Sequence, residues 1–189
     1  MNSTAPPLIV PTFGARRQST AETDVLANRL GSRIRALLKR SLHVRHLDAG
    51  SCNACDWELQ ALLGPVYDVQ RLGIDFVASP RHADMILVTG SVTRNLEEAA
   101  RRTYEAMPEP RLVVAVGACA CGGGVLQGSY CTAGGVRHVL PVDVSIPGCP
   151  PRPQALIHGL LLALDRMEQK LYRTEVEVVG RTASVPSGQ

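Results

Sequence analysis

The chain has 189 residues, of which 45% are hydrophobic, 20% charged and only 4% aromatic, and its formal net charge is +3. That is enough for one well-buried domain with an aliphatic core and too little for two full domains. The charge is uneven, because residues 1–45 hold eight Lys or Arg against two acids and the remainder twelve against fifteen; basic residues gathered on an arm, without interleaved aromatics, do not make a nucleic-acid-binding face.

Residues 1 to about 23 mix Pro, Ser, Thr and Ala without sustained periodicity, which predicts an extended arm that orders against a partner. Arg16-Arg17 is followed by Gln-Ser-Thr-Ala-Glu-Thr-Asp24, with neither an apolar stretch nor a cleavage site, so export is not expected. From Asp24 to Ser41, Val25, Leu26, Leu30, Ile34, Leu37 and Leu38 recur at helical spacing with Arg29, Arg33, Arg35, Lys39 and Arg40 between them. This basic amphipathic helix suits either an anionic membrane surface or ordinary docking on the protein with its charges in water.

Beyond it, short β-branched or apolar runs alternate with helical patterns. Strands are predicted over residues 44–47, 74–78, 85–89, 111–116 and 144–146, and helices over 55–63, 94–106 and 153–171. That order predicts an α/β fold with a mostly parallel, flavodoxin-like sheet covered by helices on both faces. The expected divisions are arm and amphipathic helix at 1–41, the domain at 42–172 and a tail at 173–189. The most apolar run, around Leu160–Leu164, falls short of the roughly 18 to 20 residues needed to cross a bilayer.

Four cysteines stand at the ends of predicted strands: Cys52 and Cys55 in Gly50-Ser-Cys-Asn-Ala-Cys-Asp-Trp-Glu58, Cys119 in Gly117-Ala-Cys119, and Cys149 in Gly148-Cys-Pro-Pro151. The 64 positions between Cys55 and Cys119, and 30 between Cys119 and Cys149, are unlike the paired doublets of a zinc finger. Loops at the carboxyl ends of parallel strands converge, so the spacing suggests an iron-sulfur cluster held by several loops. Six cysteines without a secretion signal favour thiols that serve metals or redox chemistry. A thiol oxidoreductase using only Cys52 and Cys55, or a zinc-stabilised scaffold, leaves the other cysteine loops unexplained.

At these residues the chain resembles the 20 kDa iron-sulfur subunit of respiratory complex I and the small subunits of energy-converting nickel-iron hydrogenases. The likeness extends from about Leu47 to Met167. It includes Ser79-Pro-Arg-His-Ala-Asp84, Leu87-Val-Thr-Gly-Ser-Val92, Gly117-Ala-Cys119 with the triple glycine, Leu140-Pro-Val-Asp-Val144 and Ile146-Pro-Gly-Cys-Pro-Pro-Arg-Pro153. The resemblance implies a flavodoxin-like fold and one 4Fe-4S cluster on Cys52, Cys55, Cys119 and Cys149, with Cys119 rather than Cys121 as the matching ligand. Its Cys-x-x-Cys pair is similar to the hydrogenase branch, where complex I subunits carry adjacent cysteines. The implied function is electron transfer in a membrane-associated, formate hydrogenlyase-like hydrogenase complex; the alternative is the B-type subunit of NADH-quinone oxidoreductase.

Implied partners are a large catalytic subunit, of hydrogenase or 49 kDa type, a ferredoxin-like iron-sulfur subunit and membrane subunits, at the cytoplasmic face of the inner membrane. Glu58 is a candidate for proton passage or cluster tuning, and Asp56 reads more simply as a solvated acid at a helix start. Arg81 and His82 are candidates to contact the partner or lie near the cluster, and Arg152 to offset its charge. His43, His46, His138 and His158 show no ligand spacing. Cys131 is expected to pack as a small apolar residue.

Overall fold

A computed structural model describes residues 8–9 and 20–183, with side chains to residue 172. Its six strands are β1 (Leu8–Ile9), β2 (Leu42–Asp48), β3 (Ile74–Phe76), β4 (Met85–Thr89), β5 (Leu112–Val116) and β6 (Val144–Ile146). They form one sheet in the order β1-β6-β5-β4-β2-β3, and every pairing is parallel. Setting the short edge strand β1 aside, the remaining order is the 2-1-3-4-5 of flavodoxin-like sheets.

The central strands Met-Ile-Leu-Val-Thr and Leu-Val-Val-Ala-Val are buried at every position, as unbroken apolar runs must be when both faces of a sheet are covered. On one face lie α1 (Thr20–Leu38), α2 (Ala54–Leu63) and α5 (Pro153–Ala183). Leu30, Ile34, Leu59, Leu62, Leu156, Leu160 and Leu164 pack there against Leu42, Val44, Leu87 and Val114. The other face is covered by α3 (Arg94–Glu105) and by a turn at Val136–His138, with Ala100, Val136 and Leu140 set against Ile86, Val88 and Val113. A six-residue helix, α4 (Gly117–Gly122), follows β5 directly.

Several expectations are corrected here. Leu8–Ile9 is not free arm but pairs with Val144 and Ser145 on β6; the other arm residues up to 19 lie outside the described residues. The Gly117 segment, read as loop, is helical because its small side chains allow a tight turn against the sheet. The last helix runs on to Ala183, through the start of the expected tail. Of the two readings of the basic helix, docking is the one seen. Ala27, Leu30 and Ile34 are buried, and Arg33 reaches Asp165 at 3.0 Å and Glu168 at 2.6 Å on α5. No described helix is long and apolar enough to cross a membrane.

Candidate metal centre

The carboxyl ends of β2, β5 and β6 carry the Cys52 and Cys55 turn, α4 with Cys119, and the Cys149 loop respectively. Hydrogen bonds fix these segments to one another. Ala118 donates its backbone N–H to the Gly148 carbonyl at 2.7 Å, joining the Cys119 and Cys149 segments. Asp48 Oδ1 accepts the N–H groups of Gly50 at 2.9 Å and Ser51 at 2.7 Å, which turns the chain out of β2. Behind that turn, Gly90 at the end of β4 packs so closely that a Cβ there would stand 2.5 Å from the Gly50 carbonyl carbon.

Burial first, then the Asp56 carboxylate, then the thiols of Cys119, Cys52 and Cys149 push the Cys55 thiol up to about 12. Left to the protein, Cys55 stays a thiol; a bound cation favours the thiolate of a ligating cysteine. Gly117, with φ +90°, leaves the space beside Cys55 open, since a Cβ there would lie 2.5 Å from Cys55 Sγ. Cys52 and Cys149 are exposed, whereas Cys55 and Cys119 are half-buried. Among the described residues no three His, Cys, Asp or Glu side chains are grouped to hold one metal ion.

Cys121 belongs elsewhere. Its Sγ lies 3.7 Å from the Ala115 carbonyl oxygen, and it packs into the core on the α3 face of the sheet. Burial pushes its thiol up. Two positions apart on α4, the two cysteines point to different sides. Cys131, expected in the interior, is exposed, with Ser129 Oγ 3.0 Å from its sulfur; the loop that carries it bulges over the surface.

Glu58 is half-buried on α2, one turn after Cys55, and Arg152 is exposed between the Cys149 loop and α5. Arg81 and His82 are not gathered with the thiols. They are exposed in the turn Pro80–His82 at the amino end of β4, where the His82 carbonyl lies 3.2 Å from His43 Nδ1.

The structure adds residues that spacing did not single out. Asp56 is not a solvated acid: His46 Nε2 stands 2.9 Å from its Oδ1, Thr89 donates to the same oxygen at 2.8 Å, and Ser51 Oγ donates to Oδ2. No sequence signal marks this group, because His46, Thr89 and Asp56 sit on two strands and a helix and share no motif.

A family model described as NADH ubiquinone oxidoreductase, 20 Kd subunit, matches residues 52–163. A probable membrane-bound hydrogenase subunit of Pyrococcus furiosus is 48% identical over 151 residues, 78% of this chain and 90% of that relative. Formate hydrogenlyase subunit 7 of Escherichia coli is 45% identical over 135 residues, 71% of this chain; the match spans about half of that relative, 53%. Among solved structures, a chain of the membrane-bound sulfane sulfur reductase, an archaeal respiratory membrane complex, superposes with a TM-score of 0.61 at 29% identity, over 85% of this chain and 92% of that one.

Proposed function

The chain belongs to the NADH ubiquinone oxidoreductase 20 kDa subunit family, and from that premise we propose that it is the electron-relay subunit of a membrane-associated nickel-iron hydrogenase complex of the formate hydrogenlyase kind, holding one 4Fe-4S cluster on Cys52, Cys55, Cys119 and Cys149. The observation that carries this is the meeting of the Cys52–Cys55 turn, α4 with Cys119 and the Cys149 loop at the carboxyl ends of three strands, joined by the Ala118-to-Gly148 hydrogen bond, while Cys121 packs into the core. The all-sulfur donor set and the room left at Gly117 fit such a group. When bound, a 4Fe-4S cluster accepts and releases one electron at a potential set by its surroundings.

The chain's own residues do the rest. Backbone links between the cysteine loops keep the thiols in place across the electron step, which lowers the cost of reorganisation. Cys52 and Cys149 open the site outward, and Trp57, 73% exposed, with Val125, 94% exposed, leaves apolar surface on segments adjoining the thiols. Such surface calls for a covering subunit, here the large catalytic subunit, with ferredoxin-like and membrane subunits completing a complex peripheral to the cytoplasmic face. Glu58 is the acid placed to pass protons along α2.

The test is chemical analysis of the purified complex. About four iron and four acid-labile sulfide per chain are expected, with a paramagnetic signal on reduction. Cys119→Ser removes the signal, and Cys121→Ser keeps it at a cost of about 1 kcal/mol in stability. Zinc without sulfide would sink the reading. A second reading, the B-type subunit passing electrons to quinone, is favoured by the family description itself. Hydrogen-dependent reduction of a viologen dye selects the first, and quinone reduction without hydrogen uptake selects the second.

A further inference from the structure

The hydrogen-bond network behind Cys52 and Cys55 has more members than a helix start needs. An acid in the first turn of a helix is ordinarily stabilised by free backbone N–H groups and water. Asp56 instead draws on side chains from three other segments: Ser51 in the loop, Thr89 at the end of β4 and His46 on β2. Thr89 is fully buried, at 0% exposure, and its hydroxyl lies 3.1 Å from His46 Nε2 as well as 2.8 Å from Asp56 Oδ1. With an ionised carboxylate as acceptor, His46 carries its proton on Nε2 and the Thr89 hydroxyl hydrogen is committed to Asp56. Removing either donor would leave a carboxylate short of partners in a half-buried place, where that costs most.

The order of residues turns this network into a brace. Ser51 precedes Cys52 and Asp56 follows Cys55, so their hydrogen bond closes a ring across the two thiols. Asn53, at φ 67°, reverses the chain inside that ring, and its N–H donates to Ser51 Oγ at 3.0 Å. Thr89 and His46 fasten the ring to neighbouring strands of the sheet. Asp56 is the residue next to Cys55, so its carboxylate is held one position from a thiol of the site.

We propose that His46, Thr89 and Ser51 fix Asp56 as a positioning network that sets the geometry of the Cys52 and Cys55 turn and places one negative charge against the group these thiols hold, lowering its reduction potential. The network touches neither substrate nor acceptor; it acts through the two thiols. This inference rests on the cluster reading above.

The experiment uses the purified complex with the full chain beside its large subunit. Iron and sulfide are measured first, and a wild-type complex lacking both ends the cluster reading and this inference together. In a loaded complex the two separate. Asp56→Asn keeps the side chain's shape and removes its charge. At a fixed ambient potential its reduced-to-oxidised ratio, read by electron paramagnetic resonance, should rise about tenfold, or ~59 mV for a one-electron couple. Thr89→Val strips the brace and leaves the charge: iron loss to a chelator should speed up about tenfold, and Thr89→Ser should restore the wild-type rate. An unchanged ratio in loaded Asp56→Asn overturns the charge effect, and unchanged iron retention in Thr89→Val overturns the brace. If Asp56→Asn assembles without iron, the Thr89→Val and Thr89→Ser pair decides the matter alone.

Discussion

The two ends of the sheet are built by different means. At the carboxyl end, where the cysteine segments meet, the chain adds to the Asp56 network close approach at glycines of positive φ: Gly90 against the Gly50 backbone, and Gly117 against the Cys55 sulfur. At the amino end it relies on charge. Arg40 forms a two-pronged bond to Asp84 at 2.6 and 2.8 Å, Asp84 Oδ2 accepts the His43 N–H at 3.0 Å, and α1 is held to α5 by Arg33. Backbone contacts at this range admit almost no substitution, whereas half-exposed ion pairs each contribute little and can be exchanged. The end that carries the cysteine segments is the less tolerant of the two.

The sharpest way to break this contrast is Gly90→Ala. The added Cβ meets backbone at 2.5 Å in a left-handed conformation, so a loss of about 3 kcal/mol in denaturant unfolding is expected. A loss under ~0.5 kcal/mol would mean the carboxyl end is no tighter than the other. Asp84→Ala, at the amino end, should cost about 1.5 kcal/mol, chiefly from the abandoned His43 N–H rather than the Arg40 pair. Added salt should therefore leave most of that difference in place.

The smallest effect concerns pH where α1 lies on α5. Burial, and then the charge of Arg29, hold the His158 imidazole below its ordinary value. Because the unfolded chain then takes up the proton at higher pH than the folded one, stability is fully present above about pH 6.5 and declines as pH falls below it. His158→Gln should flatten that slope in pH-dependent thermal unfolding.

The sequence made the frame legible because parallel strands buried on both faces are continuous apolar runs: residues 85–89 and 144–146 were bounded to the residue. It also made Cys52, Cys55 and Cys149 legible, each beside a glycine loop at a strand end. Periodicity could not separate Cys119 from Cys121, since both fit the same glycine-rich stretch and only the helical twist of α4 sends one to the thiol group and the other to the core. The amphipathic pattern of α1 likewise showed an apolar face without showing what covers it; the acids that receive Arg33 are more than 130 positions away. His46 stayed hidden for the same reason, its partners being brought to it by the pairing of β2 with β4.

The hydrogen bond from Ala118 to the Gly148 carbonyl also bears on how the subunit is made. It joins segments that follow β5 and β6, so it depends on the register of those two strands. Cys119 and Cys149 are therefore held near Cys55 by the sheet rather than by local chain contacts. Cys52 and Cys149, the two exposed members of the four, thus stand on segments that only the assembled sheet brings to the same end.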